Sequence, residues 1–416
     1  MTTAPPAPAR RSDRLSDNPD LRNLFTAAAA AKLGAHLSYV AVPLVAIEVL
    51  GASAGEVGAL AALAVAADLL FGLPAGAWVD RVRKRRLMVA ADLARAALLL
   101  SVPVAWWLDA LTIWQLFAAV FLAGLGTTVF EIAQQSLLPA IVDRDRLTGA
   151  NGRLVALDSA LTIGGRGVAG FVVALAGAPL AVLGNAIGYA WSALFVRRIG
   201  DEPAPARTRP RAADLTEGAR HVWRHPALRA LALSGAANNC AIQLFLTMLP
   251  LVWLDAGLSP AGLGVMLAVG GAGSLAGAAA ARRLRARLGT GRSLWMIGAF
   301  AALPALCLPL TGIGMWTWAA GAAWALVGAS VGVANVVGMS LRQQLTPDAL
   351  LGRMNAAFRF AFMGAVALGA SAAAVVGEFA SPRAAIAVGA AGMAVQWTIT
   401  FAARRSLTVP SGSLVE

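Results

Sequence analysis

Charge is what this sequence is short of. Only 13% of its 416 residues are charged and 58% are hydrophobic, whereas an average soluble protein carries about 25% charge. Mean hydropathy is +0.70. So little polar surface cannot keep a chain of this length in water as a globule, and the composition points to a protein that crosses a membrane many times. Cysteine is scarce as well. Cys240 and Cys307 lie in different apolar segments without CxxC spacing, which argues against a disulfide framework or a thiolate metal centre. Three histidines, His36, His221 and His225, are scattered with no second acid at metal spacing. Neither GxGxxG nor GxxxxGK[ST] occurs in a phosphate-binding context, so nucleotide-driven work, a cofactor and an enzymatic site are not expected. The stretch MTTAPPAPARRSDRLSDNPD has no apolar core like that of a cleaved signal peptide and reads as a disordered tail.

What is there is a series of long apolar runs. Crossing about 30 Å of hydrocarbon takes roughly 20 helical residues. Runs near that length fall at 23–50, 56–79, 87–108, 112–138, 154–177 and 179–196, then at 228–254, 261–281, 293–311, 314–341, 354–376 and 382–403. The pattern predicts an all-α membrane protein of twelve transmembrane helices in two six-helix bundles. The expected division is a tail at 1–22, a bundle at 23–198, a linker at 199–227, a bundle at 228–405 and a tail at 406–416. The linker opens Pro-rich and turns into an amphipathic helix suited to a membrane surface.

The net charge of +13 raises nucleic acid as a partner, and its distribution answers the question. Nearly all arginines outside the runs fall on the side that holds both termini. The opposite loops hold Arg383, and Lys32, Arg95, Arg166 and Arg359 lie inside runs. Such asymmetry is the positive-inside rule. It predicts a multi-pass protein of the inner (plasma) membrane with cytoplasmic termini, its basic residues against anionic lipid headgroups and no nucleic-acid or nucleotide partner.

The halves echo one another. VPLVAIEVLGASAGEVGAL (42–60) matches LPLVWLDAGLSPAGLGVML (249–267), setting Pro43 on Pro250 and Glu48 on Asp255. QSLLPAIVDRDRLTGANG (135–152) parallels QQLTPDALLGRMNA (343–356). A repeat of this period suits a transporter of two bundles that rock about a central site.

Between the second and third runs stands GAWVDRVRKRR (76–86). Together with the twelve runs and the linker, it resembles the loop motif of the major facilitator superfamily, with Gly76, Asp80, Arg81, Arg85 and Arg86 on the motif's positions and Arg83 where its second glycine usually stands. LMVAADLARA (87–96), FEIAQQSLLPAIVDRDRLTGANGRL (130–154), LTEGARHVWRHPALRAL (215–231) and LGRMNAAFRF (351–360) are similar to the macrolide-efflux and enterobactin-exporter branch. The resemblance implies a proton-coupled exporter of a drug-like or natural-product molecule working as a monomer by alternating access. A siderophore exporter and an uptake or facilitative carrier are alternatives within the fold, and a non-transporting sensor or assembly factor is an alternative of another class. It also implies that Gly72 and Gly76 pack against span 11 and that Asp80 latches onto that helix's N-terminal end, held by Arg81 and Arg85. GGRGVAG (164–170) departs from the family, with Arg166 where proton-coupled exporters commonly have proline.

Ionisable groups inside a membrane cost several kcal/mol unless paired or wet, so each is a functional candidate. Asp68, His36 and Arg166 fall at similar depth, with Arg166 roughly 18 Å into its run at 1.5 Å per residue. Asp68, Glu131, His36 and Arg166 are the proton-coupling candidates, with an Asp68–Arg166 or Asp68–Arg359 ion pair expected. Lys32, His36 and Tyr39 share a helix stripe that is expected to face a cavity, joined by Gln134, Asn238, Asn239, Gln243, Asn335 and Arg359 as substrate-binding candidates. Phe245, Met248, Trp253 and Trp324 are expected to supply apolar walls, and Asp92 with Arg95 a structural pair three residues apart on one helix face.

Overall fold

The computed structural model describes residues 18–79, 82–142, 146–200, 213–347 and 350–407, and every regular element among them is helical. The first half comprises α1 (Pro19–Leu44), continued by a π-helical turn (Val45–Val49), then α2 (Ala54–Val79), α3 (Lys84–Trp107), α4 (Ile113–Ile141), α5 (Leu147–Ala176) and α6 (Ala178–Arg197). A short amphipathic helix, α7 (Ala213–Arg224), leads to α8 (Pro226–Asp255), α9 (Pro260–Leu288), α10 (Thr290–Ala305), α11 (Trp316–Gln344), α12 (Leu351–Phe379) and α13 (Pro382–Ala402). All but α7 belong to segments long and apolar enough to span a bilayer, which gives twelve spans and a multi-pass membrane protein.

Local chemistry sets the ends of these helices. The Asn18 side chain accepts from Asp20 N (3.0 Å) and Leu21 N (3.2 Å) at the start of α1, and Ser259 and Ser381 cap α9 and α13, each followed by proline at the first helical position. Ser53 and Glu56 form a reciprocal box at α2: Ser53 N donates to Glu56 Oε2 at 2.9 Å and Glu56 N to Ser53 Oγ at 3.3 Å. These caps refine the internal repeat. Pro43 and Pro250 sit inside α1 and α8, 207 positions apart, yet the equivalent caps Ser53 and Ser259 are separated by 206. The π turn after Pro43 accounts for the difference, because it absorbs one extra residue. Several helices also overrun their expected spans. Continuing α9 to Leu288 puts Arg282, Arg283, Arg285 and Arg287 on its last turns, where cations suit the helix dipole.

The halves are built alike. α1 packs on α6 as α8 packs on α13, and α2 packs on α4 as α9 packs on α11. Lipid tails are as apolar as leucine, so close backbone approach holds such helices together. The α9–α11 seam shows it: a Cβ placed on Gly273, Gly277, Gly328 or Gly332 would collide with a backbone carbonyl of the facing helix.

The two halves meet mainly along α2–α12 and α5–α9, with a smaller contact of α2 on α8, and among the described residues their apolar cores join at one end. The helices alternate in direction, so α1 begins and α13 ends at the same face, here called the basic end. At the far end one continuous core draws on both halves, including Val57, Ala169 and Val173 from the first and Leu244, Leu263 and Ala373 from the second. At the basic end the core splits into a first-half cluster around Leu24, Met88 and Leu137 and a second-half cluster around Leu228, Val337 and Phe358. Gly170 and Gly264 touch across the far-end seam: a Cβ on Gly170 would stand 2.7 Å from Gly264 Cα and 2.7 Å from Pro260 O. A Cβ on Gly72, near the basic end of α2, would meet only Asp68 of its own helix, at 3.5 Å. Among the described residues the expected packing of Gly72 against α12 is therefore not made in this state. Among the described residues the halves close on each other at the far end and part at the basic end.

A polar contact reinforces the closure. Glu378, in the last turn of α12, accepts a 2.7 Å hydrogen bond from Gly55 N in the first turn of α2. A carboxylate is disfavoured at its own helix's C-terminus and favoured at another's N-terminus; in this antiparallel pair Glu378 trades one for the other. Glu378→Gln is expected to widen the distribution of separations between the far ends of α5 and α9, read by electron-spin distance measurement. An unchanged distribution would assign the contact no role in closure. Exposed Trp106, Trp107, Trp114, Trp316 and Trp318 ring this end, as aromatic belts do at a membrane interface.

Candidate functional site

A cavity of about 820 Å³ lies between the halves. Its walls come from α1, α2, α3, α4, α5 and α6 on one side and α8, α9 and α12 on the other, and they are mainly apolar. Four charged side chains line it: Asp68, Glu131, Arg166 and Arg359.

Three of the four meet. Arg359 Nη2, from α12, donates to Asp68 Oδ1 and Oδ2 on α2 at 3.1 Å each and stands 3.9 Å from Glu131 Oε2 on α4. Thr128, one helical turn from Glu131, donates to Asp68 Oδ1 at 3.3 Å. One guanidinium from the second half thus faces two carboxylates from the first, and this bridges the halves where their apolar cores have parted. The cluster is wet rather than sealed. Side-chain exposure is 51% for Arg359, 22% for Asp68 and 42% for Glu131. Water screening at that exposure leaves such a pair weak enough to break and remake.

Arg166 is placed differently. Asp68 pairs with Arg359, and among the described residues no carboxylate lies within ion-pair distance of Arg166. Its guanidinium lies over the Tyr39 ring at 4.3 Å. Of the expected group of Asp68, His36 and Arg166, Asp68 turns away to Arg359 because equal depth does not give equal azimuth, while His36 stays close enough to feel the charge of Arg166. His36 turns toward α5, where a Cβ on Gly165 would meet it at 3.1 Å.

The remaining candidates separate cleanly. Tyr39, Gln243 and Arg359 line the cavity, whereas Lys32, His36, Gln134, Asn238, Asn239 and Asn335 do not. Lys32 is drawn to α5 by Asp158 (Nζ–Oδ1 2.5 Å). Gln134 is buried in α4, Asn239 donates to Gly235 O of its own helix at 2.8 Å, and Asn335 is exposed outside the lining. Phe245 and Trp324 stack at 4.8 Å between ring centroids and, with Met248 and Trp253, belong to the far-end core rather than the cavity wall. Gln243 donates to Thr247 Oγ1 at 3.0 Å on the cavity surface. Thr128, Thr247, Ser38 and Asn185 also line the cavity beside the charged residues; in sequence each is marked only by being a single polar residue in an apolar helix. Asp92 and Arg95 do form a buried ion pair within α3, with Arg95 enclosed between the rings of Tyr189 (4.0 Å) and Phe130 (4.7 Å).

Of the loop motif, Asp80 and Arg81 lie outside the described residues. Gly76 falls in the last turn of α2. Arg85 donates to Ile199 O at 2.6 Å, just past the C-terminus of α6, and Arg86 is exposed. Nearby, Arg353 of α12 pairs with Glu217 of α7, tying the linker helix to the second half.

Solved structures share this architecture. A bacterial homologue of the iron transporter ferroportin in its inward-facing state superposes with a TM-score of 0.76 at 17% identity, covering 92% of this chain and 98% of that one. The same homologue in its outward-facing state gives 0.60 over 92% and 99%. The nucleoside transporter NupG gives 0.73 at 13% identity over 92% and 98%, and a bacterial homologue of the human lysosomal transporter Spinster, inward-facing and unoccupied, gives 0.70 at 14% over 94% and 98%. No curated protein matches the chain in sequence. The family model of the Major Facilitator Superfamily matches residues 24–370. With its pseudo-symmetric halves, central cavity and single closed end, this chain is a transporter rather than an enzyme and belongs to the Major Facilitator Superfamily.

Proposed function

We propose that the protein is a proton-coupled exporter of an amphipathic, drug-like or natural-product small molecule, seated in the inner membrane with its basic end in the cytoplasm. The observation that carries this reading is the cluster of Asp68, Glu131 and Arg359, which joins the halves inside a cavity closed at the far end. Two carboxylates competing for one guanidinium form a proton switch. Protonating one of them removes its claim on Arg359, and a broken bridge frees the halves to move. Asp68 and Glu131 therefore take protons from the far side when the cavity opens there, and release them to the cytoplasm when the basic end is open.

In the outward-facing state the loop of Gly76, Asp80, Arg81, Arg85 and Arg86 closes the cytoplasmic end, Asp80 resting at the N-terminal end of α12. This mirrors Glu378 on α2 at the opposite end of the same helix pair. Because Glu378 releases α2 when Asp80 engages α12, the two acids would alternate. The remaining basic residues of the loop face lipid headgroups, which add roughly 1 kcal/mol each to membrane attraction.

The test uses purified protein in liposomes with an imposed pH gradient and a trapped pH dye. Amphipathic compounds added to the cytoplasmic face should accelerate collapse of the gradient. A gradient insensitive to every compound of a broad panel would remove antiport, and collapse driven only by substrate moving with the proton would make the carrier an importer.

A further inference from the structure

The four charges of the cavity cancel in number but not in space. Both carboxylates lie on Arg359, leaving that cluster with an excess negative charge, and Arg166 stands alone. Arg166 is 10 residues from the far end of α5, about 15 Å along the helix. It stands next to the α5–α9 seam, where the Arg166 backbone carbonyl lies 2.9 Å from where a Cβ on Gly264 would be. Its Nε is buried with no hydrogen-bond partner, and among the described residues its terminal nitrogens make no hydrogen bond or ion pair. The face of Tyr39 lies against it, which steadies a cation and leaves the guanidinium edge free to donate.

A lone guanidinium in an apolar pocket is tolerable while water enters from the open end. Alternating access passes through a closed, dried cavity, where an uncompensated cation is costly. Something must then supply the counter-charge. The cavity's two carboxylates are held by Arg359 and the neighbouring Asp158 by Lys32, and those partners would have to be given up to serve Arg166.

We infer that the counter-charge comes from the substrate: the cavity takes an amphipathic organic acid whose carboxylate pairs with Arg166 while its apolar body lies against Leu60, Leu246, Leu263 and Met363. The volume suits a drug-sized molecule, and a guanidinium edge with two parallel N–H groups matches a carboxylate. The inference rests on the transport reading above and narrows its substrate class. It gives Arg166 a substrate-binding role distinct from the proton-handling pair Asp68 and Glu131.

Binding to the purified full chain in nanodiscs tests this apart from transport. The probes are three dansyl amino acids with short, medium and long methylene spacers (dansyl-glycine, dansyl-6-aminohexanoic acid and dansyl-11-aminoundecanoic acid), each compared with its own carboxamide by dansyl fluorescence. At least one acid should bind roughly tenfold or more tightly than its amide, the scale of one charge-assisted hydrogen bond. In Arg166→Gln that ratio should collapse toward one, and Arg166→Lys should restore part of it. Equal binding of acid and amide would overturn the proposal, as would a ratio that survives Arg166→Gln or failure of all three acids to bind. A failed pH-gradient response with acid-selective binding intact would instead count against antiport and leave the Arg166 site standing.

Discussion

Asp68→Asn should cut accumulation against a gradient by about tenfold or more while sparing exchange of substrate for substrate. Asparagine keeps the size of the side chain and an oxygen for Thr128, so the local packing around α2 and α4 survives. What it loses is the charge that holds Arg359 by two contacts at 3.1 Å and the ability to take a proton. Glu131, at 3.9 Å, inherits Arg359 but at a longer reach. A charge-assisted hydrogen bond contributes about 1.5–3 kcal/mol, and exposure of the pair argues for the lower part of that range. Uphill transport should accordingly fall by about tenfold or more, one factor of ten corresponding to about 1.4 kcal/mol. Exchange needs the cavity and the moving halves but no net proton cycle, so it should continue. The measurement is paired: gradient-driven accumulation and counterflow in the same liposomes. Full accumulation by Asp68→Asn would make the Asp68–Arg359 pair a brace between the halves, with Glu131 left as the proton carrier.

That pair also marks how far sequence reasoning carries here. The twelve spans were legible because hydrocarbon thickness dictates run length, and the halves because the same caps and prolines recur. Depth along a span was legible by counting. Azimuth was not. Asp68 and Arg166 lie at similar depth, but α2 turns its acid toward Arg359 of α12, a partner 291 positions away. Lys32, His36 and Tyr39 do share a stripe, yet the neighbouring α5 claims the first two through Asp158 and Gly165, leaving Tyr39 for the cavity. The amide of Asn239 shows why uncharged candidates mislead: an amide is satisfied by its own backbone as readily as by a ligand. Glu378 had a readable signal that went unused. An acid in the last turn of a helix opposes its own dipole, and a residue so placed is commonly serving a neighbour. The asymmetry of charge in the cavity was hidden altogether, because it depends on which of two arginines both acids choose.

Gly170→Val is expected to arrest the cycle with the far end open, with transport falling to background while the protein still reaches the membrane folded. Gly170 and Gly264 occupy the seam where α5 and α9 touch, and a side chain on Gly170 would stand 2.7 Å from both a Cα and a carbonyl oxygen of the other half. Neither is the flexible tip of a side chain, so relief requires the helices to separate. Overpacking of this kind costs about 1–3 kcal/mol in a rigid core. Here the strain has an outlet, since the two halves part at this end when the carrier faces outward. A penalty of that size, applied to the inward-facing state alone, shifts a two-state equilibrium by about 5- to 150-fold. The same valine on Gly152, whose surroundings hold nothing within 4 Å, is the control for helix propensity. Spin labels on the far ends of α5 and α9 would report the separation, and transport in liposomes the arrest. If Gly170→Val kept wild-type transport and an unaltered distance distribution, the seam would be too compliant to serve as a gate. Combining it with Glu378→Gln then asks whether the glycine contact and the carboxylate cap hold the same closure. Two devices acting on one conformational equilibrium give shifts that multiply, so the double variant should be more outward-facing than either single one.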